Sequence, residues 1–167
     1  MSNELPFDSM AKERKTVTLF LYLPEEKKVV LSRRGKLEKK PGLIQATVHG
    51  QIEPGEISHI AMKREFAEEL KGDFHRLTGI IDLGENTVGD TTIEHTYYHA
   101  AVMPKEMLGT LQTTQEVQEI LTISESEIGT ITPYSKVDDK LDSDFSDQMV
   151  MFDDELEVLK KVFKAFG

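Results

Sequence analysis

The stretch "HGQIEPGEISHIAMKREFAEELKG", residues 49–72, decides how the rest of the chain is read. It gathers Glu65, Glu68 and Glu69 around one arginine, Arg64, in a segment that otherwise reads as a helix from about Glu56 to Lys71, preceded by Gly55. Like charges three or four residues apart on an exposed helix cost roughly 0.2–0.5 kcal/mol per pair, so a compensating group is expected. On a wheel at about 100° per residue, Met62, Phe66 and Leu70 form one apolar side and read as core. Ile57, Ile60, Ala61 and Ala67 form a second apolar arc, with Arg64 and Glu68 inside it and Glu65 and Glu69 at its edges. Charges embedded in an apolar surface must be paired or must hold a cation.

Residues i, i+3 and i+4 share a helical face, so Glu65, Glu68 and Glu69 can converge on one point. Carboxylates without histidine or thiolate partners favour a hard divalent ion, Mg2+ or Mn2+, over zinc. Magnesium keeps several waters and completes its shell with substrate phosphates, so it can bridge an acidic protein to an acidic substrate. Arg64 is then expected to brace carboxylates, Glu56 first among them. A solvated glutamate-rich helix with ordinary salt bridges is the competing reading of the triplet alone.

Around this segment the chain has 167 residues, enough for one domain with a real core. It has no cysteine, which excludes disulfides, thiolate metal sites and thiol nucleophiles. The net charge of −10 argues against a nucleic-acid polymer as partner. No signal peptide, anchor or membrane span is read from the apolar runs, so a cytoplasmic protein is the expectation. Residues 27–40 carry seven basic side chains against one acidic, and residues 138–157 carry nine acidic against one basic. The acidic run reads as solvated surface, whereas the basic run sits just upstream of the glutamates.

Residues 16–34 read as a hairpin turning at Pro24–Lys27, and 43–49 as a third strand between Pro41-Gly42 and Gly50. A second hairpin is expected across "ENTVGDT", 85–91, and another strand over "EVQEILTI", 116–123. Ser124 and Glu127 stand at capping-box spacing. Phe152, Leu156, Leu159, Phe163 and Phe166 predict a closing helix. Interspersed helices and hairpin-linked strands give a mixed-sheet α/β (α+β) domain, placed at 15–167 behind a flexible tail over 1–14.

Gly50, Glu56, Arg64, Glu65, Phe66, Glu68 and Glu69 stand in the register of the Nudix box, and the segment resembles that family's signature. The box is Gly, five residues, Glu, seven residues, Arg-Glu, an apolar residue, any residue, Glu-Glu. The resemblance covers Gly50 to Gly72, and the leading hairpin ending in "SRR" and the closing helix agree with it. Two positions depart: Lys71 stands where the box has glycine, with Gly72 one later, and His49 stands where many members carry a second glycine. Gly72 is expected to cap a helix lengthened by one residue.

The resemblance implies a mixed sheet sandwiched between helices, and metal-dependent hydrolysis of a diphosphate linked to another moiety. It implies Glu65, Glu68 and Glu69 as metal ligands, with Glu56 and Arg64 in support. The general base is expected from Glu65 or from a later glutamate, Glu116 or Glu119. Arg33 and Arg34 are expected to grip phosphates, although strand neighbours point oppositely, and His49 and Gly50 to border the substrate. A phosphorylated small molecule is the expected partner, and a homodimer the expected assembly if the chain follows many relatives. The related isopentenyl diphosphate isomerases use a cysteine that this chain lacks, and an idle nucleotide sensor would not need all three glutamates. Relatives acting on ADP-ribose or on dinucleoside polyphosphates often show a proline or a tyrosine past the box, and "GENTVGDTT", 84–92, has neither.

Overall fold

The computed structural model describes residues 12–138 and 143–167. The tail expected over 1–14 lies outside the described residues as far as 11, and β1 (Lys12–Leu23) begins at Lys12. From there the chain runs through β2 (Lys28–Arg34), β3 (Ile44–Ala46), β4 (Val48–Gln51), α1 (Ser58–Leu70), β5 (Thr78–Val88), β6 (Thr92–Val102), β7 (Val117–Ser124), β8 (Thr132–Pro133), β9 (Val150–Met151) and α2 (Asp153–Phe166). Short 3-10 turns fill the connections, and the one at Glu125–Thr130 carries the expected Ser124–Glu127 capping box.

β1 organises the sheet. It pairs in parallel with β6 along nearly its whole length. On its other edge it pairs antiparallel with β4 through Thr16–Leu19 and with β2 through Leu21–Leu23. The β1–β2 hairpin therefore splays, and one segment fills both sides of the fork: β4 lies against β1 and β3 against β2. This is why the single strand expected over 43–49 is two. Buried Thr47 sits at the break, its hydroxyl accepting from the Leu21 N–H (2.9 Å) and donating to the Val30 carbonyl, so neither backbone group of the fork is left unpaired.

Alternation along β1 sends Val17, Leu19, Leu21 and Leu23 into one core with Met62, Phe66 and Leu70 of α1. Phe20 and Tyr22 enter a second core with Leu156, Leu159 and Phe163 of α2. Both faces are covered, which explains the continuous apolar run "VTLFLYL". The fold is the mixed sheet between helices that was expected.

Two local readings are corrected. The second apolar arc of α1 is not a buried face: Ile57, Ile60 and Ala67 are exposed, and Ala61 alone of that arc is buried. The burial of Glu65 and Glu69 instead adjoins the Met62–Phe66–Leu70 side. Residues 85–88 are strand rather than turn, and the reversal is confined to Gly89–Thr91, with Gly89 at φ 114°.

Candidate active site

α1 begins at Ser58 without a side-chain cap and packs on β1 and β4. That packing places Glu65 against Gly50 of β4, where a Cβ would lie 2.3 Å from the Glu65 carboxyl carbon. Only glycine leaves this carboxylate room. One turn on, buried Glu69 accepts the His49 N–H at 3.2 Å.

Arg64 is the brace the sequence suggested. Its Nε and Nη2 each donate at 2.8 Å to Glu56, a two-pronged contact that holds the Glu56 carboxyl down at about 2. Nη1 donates to Glu65 at 2.6 Å and to Glu68 at 3.3 Å, and Nη2 also reaches the Gln51 carbonyl at 2.9 Å. Arg64 thus relieves part of the helix repulsion without reaching Glu69.

What Arg64 leaves over is concentrated. Carboxylate oxygens of Glu65, Glu69 and Glu116 lie within 4.8 Å of one another. Burial, and then the nearby Glu65, push Glu69 well above the ordinary carboxylate value, and the same two causes in the same order raise Glu116. Three close oxygens with too little positive charge among them suit a hard divalent cation or retained protons. Glu68, expected as a third ligand, stands at the exposed end of the Arg64 contact and borders the same cleft, outside this tight group.

The cleft has a volume of about 750 Å³. Gly50, His49, Arg64 and the glutamates border it, as do Arg14, Arg34, Lys39 and Lys40. Arg33 does not. A register shift between Arg33 and Arg34, where β2 meets β7, turns the two side chains to different jobs. Arg33 is buried, its Nε donating to Glu119 at 2.7 Å and its Nη1 to the carbonyls of Gly42 (2.8 Å), Phe145 (3.1 Å) and Gln148 (2.7 Å). The phosphate-gripping role expected of Arg33 and the general-base role expected of Glu119 are therefore corrected: the pair is an internal clamp, and Glu116 is the later glutamate that reaches the cluster.

Sequence reasoning missed Glu155. It is fully buried yet borders the cleft, with Oε1 accepting the Ala46 N–H at 2.8 Å and Oε2 3.8 Å from the His49 Nε2. Burial raises its carboxyl to about 8. The available signal was a charge at helical spacing from Leu159, Val162 and Phe166, on the apolar face of α2. His49 is partly exposed, and burial together with the nearby Arg34 holds its imidazole below the ordinary value.

A model of the NUDIX domain family matches residues 12–145. No curated protein matches the sequence. Among solved structures the chain is similar to the ORF135 protein of E. coli, with 21% identity, a TM-score of 0.59 and coverage of 93% of this chain and 94% of that one. It is similar to a MutT protein from Methanosarcina mazei Go1 at 14% identity and a TM-score of 0.61, over 93% of this chain and 94% of that one. A third is the E. coli dihydroneopterin triphosphate pyrophosphohydrolase, at 21% identity and a TM-score of 0.53, covering 69% of this chain and 84% of that one. At these identities the structural likenesses speak to fold alone.

Proposed function

The chain belongs to the NUDIX domain family, and from that premise we propose that it is a divalent-metal-dependent diphosphohydrolase acting on a nucleoside diphosphate derivative or related organic diphosphate. Family membership supports the enzyme class. The observation that carries the finer reading is the convergence of Glu65, Glu69 and Glu116 at a cleft that also presents Arg14, Arg34, Lys39 and Lys40. Cationic side chains can receive phosphate oxygens, while the carboxylates cannot face a diphosphate without a cation between them.

Glu65, Glu69 and Glu116 would hold the ion, with Glu68 beside them, and their all-oxygen set fits magnesium, with manganese a substitute. A divalent ion held there would screen the phosphate charge and lower the pKa of an attacking water. Arg64 fixes the Glu65 carboxylate, Gly50 leaves it space, and the His49 N–H fixes Glu69. Arg34 and the lysines of the loop at 35–43 orient the diphosphate. A cytoplasmic setting, where nucleotides and magnesium are both abundant, completes the reading.

The test is phosphorus NMR of the purified protein with nucleoside triphosphates, nucleotide sugars, dinucleotides, coenzyme A and isoprenyl diphosphates, with and without magnesium. Magnesium-dependent cleavage within one class is the expected result. Glu69→Gln is expected to lower turnover by at least about 100-fold, or roughly 3 kcal/mol of lost transition-state stabilisation, with an unchanged circular dichroism spectrum. Wild-type rates in that variant would remove the metal-ligand assignment.

A further inference from the structure

Among the described residues two buried side-chain atoms lack any hydrogen-bond partner, Thr18 Oγ1 and His99 Nδ1. Buried polar atoms in folded proteins are nearly always satisfied, and of these two the imidazole nitrogen is the stronger ligand. His99 lies on β6 and is 7% exposed. Its alternate neighbours Ala101 and Met103 enter the core beneath α1, so His99 points to the α1 face of the sheet. Glu94 and Thr96, which border the cleft, point to the other face. The substrate cleft therefore does not account for the unpaired nitrogen.

Two further side chains flank His99. The ring of His59, in the first turn of α1, stands edge-on to the His99 ring with centroids 6.3 Å apart. Asp82 of β5 is the cross-strand partner of His99, which puts both side chains on one face. The Gly84 N–H donates to Asp82 Oδ1 at 2.8 Å and steadies that carboxylate. Burial holds the His99 imidazole below its ordinary value, and Asp82 is near enough for its charge to act on the ring. His99 is thus neutral at pH 7, the form that ligates a metal. An anion would meet a neutral ring beside a carboxylate, so the trio is poor for phosphate. Two imidazoles and one carboxylate suit zinc rather than magnesium.

We propose that His59, His99 and Asp82 form a zinc site on the sheet face opposite the cleft, with His99 Nδ1 as its buried ligand. His99 and Asp82 are fixed on adjacent strands. His59 is exposed and closes the site by turning about its side-chain torsions, giving up its edge contact with Phe74. Water completes the tetrahedral shell. The site is independent of the hydrolase reading.

The experiment is a zinc titration of the full chain, with excess magnesium present to compete for the carboxylate cluster, followed through the imidazole nitrogen resonances of the five histidines. The His59 and His99 rings are expected to shift together while those of His75 and His95 stay in place, and magnesium alone is expected to move neither His59 nor His99. These wild-type shifts do not depend on any variant folding. His59→Ala, at an exposed position, is expected to weaken zinc binding about ten-fold or more, and Asp82→Asn to weaken it several-fold. The proposal is overturned if zinc moves His75 or His95 before His59 and His99, or binds while leaving all five rings in place. Wild-type zinc affinity in His59→Ala overturns it equally.

Discussion

At Glu155 the protein holds a carboxyl out of water with one backbone N–H for company. Its ordinary pKa of 4.5 rises to about 8 because burial penalises the anion. Between those two values the native state keeps a proton that the unfolded chain has released. Stability therefore falls as pH rises through that window and levels off above it. Glu155→Gln removes this titration. The variant is expected to lose less stability than the wild type between pH 5 and pH 8, by on the order of a few kcal/mol, as measured by urea denaturation at both pH values. Glu56 illustrates the opposite case, a carboxyl pulled down to about 2 by the Arg64 fork. The Arg64–Glu56 contact was legible in the sequence because both residues fall within one short segment. The Glu155 environment was not, since its neighbours Ala46 and His49 lie more than a hundred residues earlier and only the tertiary fold brings them near.

Helix α1 shows how a local departure from pattern is absorbed. The glycine expected to cap it, Gly72, does not take the left-handed conformation; Lys71 does, at φ 58° and ψ 34°. The Lys71 N–H reaches the Ala67 carbonyl at 3.1 Å and the Gly72 N–H reaches the Phe66 carbonyl at 3.0 Å, closing the helix in the usual way with the less suited residue at the left-handed position. Gly72 is needed for another reason, because a Cβ there would lie 2.3 Å from the Phe66 ring. Lys71→Gly is expected to stabilise the protein by about 0.5–1 kcal/mol, since an L-residue pays for that conformation and glycine does not, and thermal melting would show it. The spacing of apolar and charged residues predicted where α1, α2 and both hairpins lie. It could not reveal the fork that splits 43–51 into two strands, because Thr47 reads as one more β-branched residue until its hydroxyl meets the separated backbones of β1 and β2. Nor could it show that Ile57 and Ile60 face solvent, since helical periodicity identifies faces but not which of two faces the sheet will cover.

Across the whole molecule, the Arg33 clamp ties together β2, β7, the loop at 35–43 and the segment at 145–149. That loop carries Lys39 and Lys40 to the cleft, and it is fixed from its far side by the Arg33 contact to Gly42 and by the Phe145 N–H to the Pro41 carbonyl at 2.8 Å. Arg33→Met takes the guanidinium from the Gly42 and Gln148 carbonyls and from Glu119, while the Phe145 carbonyl keeps the Gln148 N–H at 2.9 Å. It is expected to cost on the order of 3 kcal/mol of stability and to raise KM several-fold with a smaller change in kcat, as denaturation and steady-state kinetics on the hydrolysed substrate would show. Two adjacent arginines read alike in the sequence, and the register shift between them is what separates a clamp from a cleft residue. The same long-range architecture reaches back to β1, whose residue 12 pairs with residue 92 of β6 and whose every later partner on that edge is equally distant. On a ribosome adding about 5–20 residues per second, that edge of the most apolar strand waits roughly 4–16 s for its neighbour to be synthesised, so the nascent chain must shelter a hydrophobic ribbon while its eventual partner does not yet exist.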